Sequence, residues 1–137
     1  MGVCDIIEER AQFIKDEYFP EAKVYTDYKE LLKDATIDSV DICTPNYLHS
    51  IIAVDAFKAG KHVFCEKPDA IDVTEVLKMQ KAAEEAGKVL MVMRNNRFVD
   101  ASKYAKKYID AGKMGDIYAG RCGWQRRRGI PGKGTSF

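Results

Sequence analysis

The sequence predicts an α/β chain built on a doubly wound parallel sheet. Three observations carry that prediction. Short apolar runs alternate with helical patterns four times over short connections, as in successive βαβ units. Capping residues and glycine or proline stops fall at most of the junctions, where helices are expected to start and end. The last run of the alternating region, Val89 to Met93 (V-L-M-V-M), is apolar without alternation, the pattern of a strand buried on both faces.

Met1 to Asp5 reads as the end of a strand. Ile7, Ala11, Ile14 and Tyr18 then recur at helical spacing, with Asp5 and Glu8 as a capping box and Pro20 near the stop. Ala22 to Thr26 is a short strand, and Asp27 with Glu30 opens a short helix through about Asp34. Ser39 to Thr44 is a strand that stops at Pro45. Asn46 is placed to cap the next helix, which carries Leu48, Ile52 and Ala56 on one face and ends at Gly60. His62 to Lys67 is a strand halted by Pro68, and Val73, Val76, Leu77, Ala83 and Ala86 mark a helix closed by Gly87. The rhythm changes after Met93. A polar loop (Arg94 to Arg97) leads into a helix from Ala101 to Ile109, then a strand from Asp116 to Gln125 and a basic, glycine-rich end. The domain reading is therefore 1–93 as a partial sheet domain and 94–137 as a linker helix with the start of a second α+β domain.

The 137 residues are 46% hydrophobic and 31% charged, a globular and not a disordered composition. With 22 Lys and Arg against 21 Asp and Glu the net charge is +1. This balance, without a reading helix or stacking sheet, argues against nucleic acid as a partner. No apolar run approaches the ~18–20 residues of a membrane span, and no membrane partner is expected. The first residues lack a signal-peptide pattern, and Ile6 stands where a myristoylation signal needs Ser or Thr. Cys4, Cys43, Cys65 and Cys122 form no C-x-x-C pair. A reducing, cytoplasmic location follows, with neither a disulfide framework nor a metal site.

In an open parallel sheet, ligands gather at the carboxyl ends of the strands. Three such ends carry chemistry: Asp5; Thr44-Pro45-Asn46 with His49; and Glu66-Lys67-Pro68. Asp5 suits the acid that holds a dinucleotide's adenosine ribose, or simply a helix N-cap. Pro68 restricts Lys67 and stiffens the turn that aims its cation. Repulsion from a positively charged nicotinamide would favour the neutral amine, suited to exchanging a proton with a reacting oxygen; an ordinary surface lysine is the alternative. His49 opens a helix, where a neutral imidazole is favoured. His62 reads as structural, and Arg126-Arg127-Arg128 as a solvated or subunit-facing run.

These residues resemble a known family. C-D-I-x-x-E-R-A (Cys4 to Ala11), D-x-V-D-I-C-T-P-N-x-x-H (Asp38 to His49), A-G-K-H-V-F-C-E-K-P (Ala59 to Pro68) and W-Q-R-R-R-G-I-P-G (Trp124 to Gly132) are similar to the Gfo/Idh/MocA oxidoreductases, the glucose–fructose oxidoreductase and inositol dehydrogenase group. The resemblance implies a Rossmann-like domain in an NAD(P)-dependent dehydrogenase of a sugar, inositol or similar polyol. Asp5 would hold the ribose and favour NAD over NADP. Thr44, Pro45, Asn46 and His49 would line the cofactor groove. Glu66, Lys67 and Pro68 would approach the nicotinamide, with Lys67 catalytic. Arg97 and Trp124 would face the substrate cleft, and the full-length family leaves room for a homo-oligomer.

The sequence departs from that pattern in two places. The phosphate-binding G-x-G-x-x-G belongs about 20 residues before the ribose acid, yet only four residues precede Asp5. Gly132-Lys133-Gly134 is no substitute, because Phe137 stands at the third glycine. The sheet is thus expected to lack its first strand, so that the Asp5 and Thr44 strands either close up or keep unpaired edges. The family's large β-sheet domain would follow beyond Phe137. The chain is expected to be truncated at both ends, and alone neither to bind NAD tightly nor to reduce it. An inactive stand-alone binding module is the alternative.

Overall fold

Strand β1 (Gly2–Cys4) pairs in parallel with β2 (Lys23–Tyr25), Val3 lying opposite Val24. The connection is helix α1 (Glu8–Tyr18), which packs back on both strands. Helix α2 (Tyr28–Leu32) leads to a separate three-stranded parallel sheet of order β3 (Ser39–Ile42), β4 (His62–Cys65), β5 (Leu90–Val92). Helices α3 (His49–Lys58) and α4 (Val73–Ala86) make its crossovers. The computed structural model describes residues 1–123, 125 and 127. They form two units: Met1–Met93, holding both sheets, and the residues from Arg94, holding a 3-10 turn (Asn95–Phe98) and α5 (Asp100–Asp110).

The core sits between the three-stranded sheet and α3 with α4. Ile42, Val63 and Cys65 point from the strands to Ile52, Ala53, Ala56 and Phe57 of α3 and to Met79 and Ala83 of α4. Ala53 and Ala56 are wholly buried, and their small side chains let α3 approach the sheet closely. Burying Phe57 or Met79 contributes about 1.5–3 kcal/mol each. Leu32 of α2 joins this cluster, while Leu31 and Ile37 would meet a Cβ built on Gly2. Residues 31–37 thereby bridge the two sheets.

Asp27 caps α2 by accepting from Lys29 N at 2.8 Å, and Gly60 and Gly87 terminate α3 and α4 at φ +74° and +60°. Four expectations need correction. Asp5 does not cap α1: its Oδ1 accepts from Ile7 N at 2.8 Å in a local turn, and the helix begins at Glu8 behind Ile7. Asn46 does not cap α3, because Asn46–Leu48 forms a 3-10 turn and the helix starts at His49. Strand β5 is not buried on both faces. Leu90 packs on the core, but Met91, on the face opposite α3 and α4, is 46% exposed. The described part of Asp116–Gln125 holds no strand; a strand-like run with no strand paired to it among the described residues has no ladder to join. The Asp5 and Thr44 strands have not closed up: β1 and β3 belong to different sheets.

Candidate functional site

The ladder between β3 and β4 sets the geometry of the rim. Ile42 lies opposite Cys65, and Glu66 N donates to Ile42 O at 2.9 Å. Thr44-Pro45-Asn46 and Glu66-Lys67-Pro68 therefore leave the same edge of one sheet as neighbours. Pro45, with ψ 144°, turns the chain, and its carbonyl accepts from Leu48 N at 2.9 Å. Glu66 Oε2 accepts from Lys67 N at 2.7 Å, and the Lys67–Pro68 peptide is cis. The Lys67 side chain is exposed.

His49 is the bolt between these segments. It is fully buried, with Nδ1 2.7 Å from Pro68 O and Nε2 2.9 Å from Thr44 O. Carbonyl oxygens only accept, so each contact is a hydrogen bond when its nitrogen carries a proton. A neutral ring makes one of the two and an imidazolium both. The ring thus spans from the end of β3 to the turn after β4. Next to it, buried Ser50 Oγ donates to Glu75 Oε2 at 2.7 Å, and Glu75 N donates to the α4 N-cap Asp72 at 2.9 Å. Lys78 and Ser50 hold the Glu75 carboxyl below its ordinary range by hydrogen bonding. Asp72, Ser50 and Glu75 fix where α4 starts, and sequence reading missed their part in the site. The only local signal was the Asp72-x-x-Glu75 spacing.

Thr44 carries the feature that most suggests a ligand. Its Oγ1 is buried and has no hydrogen-bond partner, although buried hydroxyls ordinarily have one. The neighbouring thiols are poor nucleophiles. Burial, then Asp41, pushes Cys43 up to about 11, and burial, then Asp69, pushes Cys65 up to about 12. Asp5 follows the end of β1, its N–H donating to Tyr25 O at 3.2 Å, and stands at the end of a strand in the other sheet. Arg97 lies in the 3-10 turn of the second unit. Trp124, Arg126, Arg128 and the Gly132–Gly134 pair fall outside the described residues. Among the described residues no group of three or more His, Cys, Asp or Glu is placed to hold a metal ion, and no helix is long and apolar enough to cross a membrane.

Comparison with known proteins matches residues 1–94 to a family described as "Oxidoreductase family, NAD-binding Rossmann fold". The inositol 2-dehydrogenase of Salmonella typhimurium is 36% identical over 116 residues, 84% of this chain and 34% of that protein. The D-glucoside 3-dehydrogenase of Escherichia coli is 33% identical over 135 residues, 98% of this chain and 38% of that one. Among solved structures, the WlbA dehydrogenase of Bordetella pertussis in complex with NADH and UDP-GlcNAcA superposes with a TM-score of 0.80. It is 31% identical, over 86% of this chain and 34% of that one. The chain spans about a third of the length of the curated relatives it matches.

Proposed function

Because the chain belongs to the Gfo/Idh/MocA oxidoreductase family, whose matched domain is an NAD-binding Rossmann fold, we propose that its strand rim holds the nicotinamide end of NAD. The reaction is hydride transfer between that cofactor and a sugar, inositol or similar polyol. The observation that carries the reading is the orphaned, buried Thr44 Oγ1, a hydrogen-bonding atom at the carboxyl end of β3, where such sheets bind ligands. The residues present fit the cofactor in that respect. Asp5 would take the ribose hydroxyls and favour NAD over NADP, and Pro45, Asn46, Glu66 and Pro68 shape the groove. His49 contributes from behind the rim, holding Thr44 and Pro68 at a set separation. NAD, when bound, supplies the hydride acceptor. Lys67 exchanges the proton: its amine takes the hydroxyl proton as the alcohol is oxidised, and its ammonium returns one as the carbonyl is reduced. Arg97 and Trp124 are assigned to the substrate side on family likeness alone. Free Cys4, Cys43, Cys65 and Cys122 accord with a cytoplasmic setting.

Thr44→Val tests this reading by separating stability from binding. Replacing an unpartnered buried hydroxyl with a methyl leaves the urea midpoint unchanged or raises stability by about 1 kcal/mol. The same change weakens NADH binding about 2–10-fold, the worth of one hydrogen bond. Unchanged NADH affinity in Thr44→Val would contradict the assignment.

A further inference from the structure

Asp34 is held from both sheets of the first unit at once. Its carboxylate accepts from Lys23 Nζ at 2.7 Å and from Tyr25 OH at 2.9 Å, both residues of β2. Its backbone carbonyl accepts from Lys61 Nζ at 2.9 Å, and Lys61 immediately precedes β4. Lys61 is buried, a rare place for an ammonium unless it has a partner to hold. Thr36 N and Oγ1 fix the second carboxylate oxygen of Asp34, at 2.9 and 2.7 Å.

Each arm runs on to a residue of the proposed rim. Tyr25 O accepts from Asp5 N at 3.2 Å, so the residue whose hydroxyl grips Asp34 also grips the acid assigned to the ribose. On the other side Lys61 leads into β4, which continues into Glu66 and Lys67 and carries β3, and with it Thr44, through their ladder. The two sheets share no ladder among the described residues. Residues 31–37 join them, Leu32 in the core of one and Leu31 and Ile37 beside Gly2 of the other, and Asp34 is the middle of that segment.

We infer that Asp34 and Lys61 are positioning residues for the dinucleotide: they tie the sheets together and set the separation between the Asp5 contact and the Thr44 and Lys67 contacts. This rests on the cofactor reading above. A ligand with two linked ends binds with an affinity set by each end and by the effective concentration that geometry gives the second end once the first is seated. The tie touches neither end, so loosening it weakens the whole dinucleotide and spares its halves.

The experiment titrates NADH, AMP and reduced nicotinamide mononucleotide into the 137-residue chain and follows backbone amide shifts. The readout is the product of the two half-ligand dissociation constants divided by that of NADH, which is the effective concentration. Lys61→Met keeps the buried stem and removes the donor; it is expected to lower this ratio about tenfold, with both halves binding as to the native chain. Tyr25→Phe, which loosens the tie gently from the other sheet, is expected to lower it about threefold. Lys61→Arg keeps a donor for the Asp34 carbonyl and retains the native ratio. Phe57→Leu lowers stability in the core, away from the tie, and also retains it. An unchanged ratio in Tyr25→Phe or in folded Lys61→Met would overturn the inference. So would halves weakened as much as NADH, or an equal fall in Phe57→Leu. If none of the three ligands shifts Asp5, Thr44 or Lys67 in the native chain, the cofactor reading fails and the tie's role with it; binding there with an unchanged ratio in the variants removes the tie alone.

Discussion

At the scale of single residues, Asp34 shows how a carboxylate can secure the far edge of a sheet. Its Oδ2 accepts from Lys23 Nζ at 2.7 Å and from Tyr25 OH at 2.9 Å, and its Oδ1 from Thr36 N and Oγ1. Its backbone carbonyl accepts from the buried Lys61 Nζ at 2.9 Å. The bonds from Lys23, Thr36 and Tyr25, in that order, hold the carboxyl well below the usual carboxylate range. A carboxyl depressed in the folded state stabilises it above the unfolded value and ceases to do so as pH falls through the folded value. The stability difference between the native chain and Asp34→Asn is therefore expected to be largest near neutrality and to shrink below about pH 4. Urea unfolding across that range measures it, and a difference independent of pH would contradict the account.

At the scale of elements, the unit β3–α3–β4 forms one clamp whose closure is His49. Removing the buried ring leaves a cavity and takes away the hydrogen-bond donor that it offers to the Thr44 or the Pro68 carbonyl. His49→Ala is expected to cost about 2–4 kcal/mol, from cavity and hydrogen-bond losses together. A urea midpoint within about 0.5 kcal/mol of the native chain, the range of neutral surface changes, would contradict that. The buried place of His49 was legible in the sequence: His49, Ile52, Ala53 and Ala56 share one helical face by spacing. Reading the histidine as a rim residue set polarity above periodicity. The Asp5–Glu8 pattern misled for the opposite reason. A capping box is a local pattern, and Asp5 satisfied a nearer amide, that of Ile7. Asn46 lost its capping role because Pro45 directs the chain into a 3-10 turn first. The existence of β3 and β4 was legible from apolar runs interrupted at Pro45 and Pro68, but the strands end earlier, at Ile42 and Cys65, because their ladder stops there. Pairing partners were not legible, since the composition of Asp116–Gln125 says nothing about which neighbour would bond it.

At the scale of the molecule, the described strands form two parallel sheets, β1 with β2 and β3 with β4 and β5, and the proposed cofactor residues are divided between them. Asp5 ends one, while Thr44 and Lys67 end the other. Ligand sites in such sheets fall outside the carboxyl ends of the strands, where the proposed cofactor residues stand. In the proposed reading, a dinucleotide would contact Asp5 at the end of one sheet and Thr44 and Lys67 at the end of the other. Affinity of this chain for NADH is accordingly expected to be weak but localised.

The measurement that tests this account most directly is an NADH titration followed by backbone amide chemical shifts of the chain. The predicted result is a saturable set of changes confined to Asp5, Thr44, Asn46 to His49, and Glu66, Lys67 and Asp69. No shift changes at those positions, or changes centred on another surface such as Lys29, Lys33 and Lys58 of α2 and α3, would contradict the assignment of the strand rim as the cofactor site.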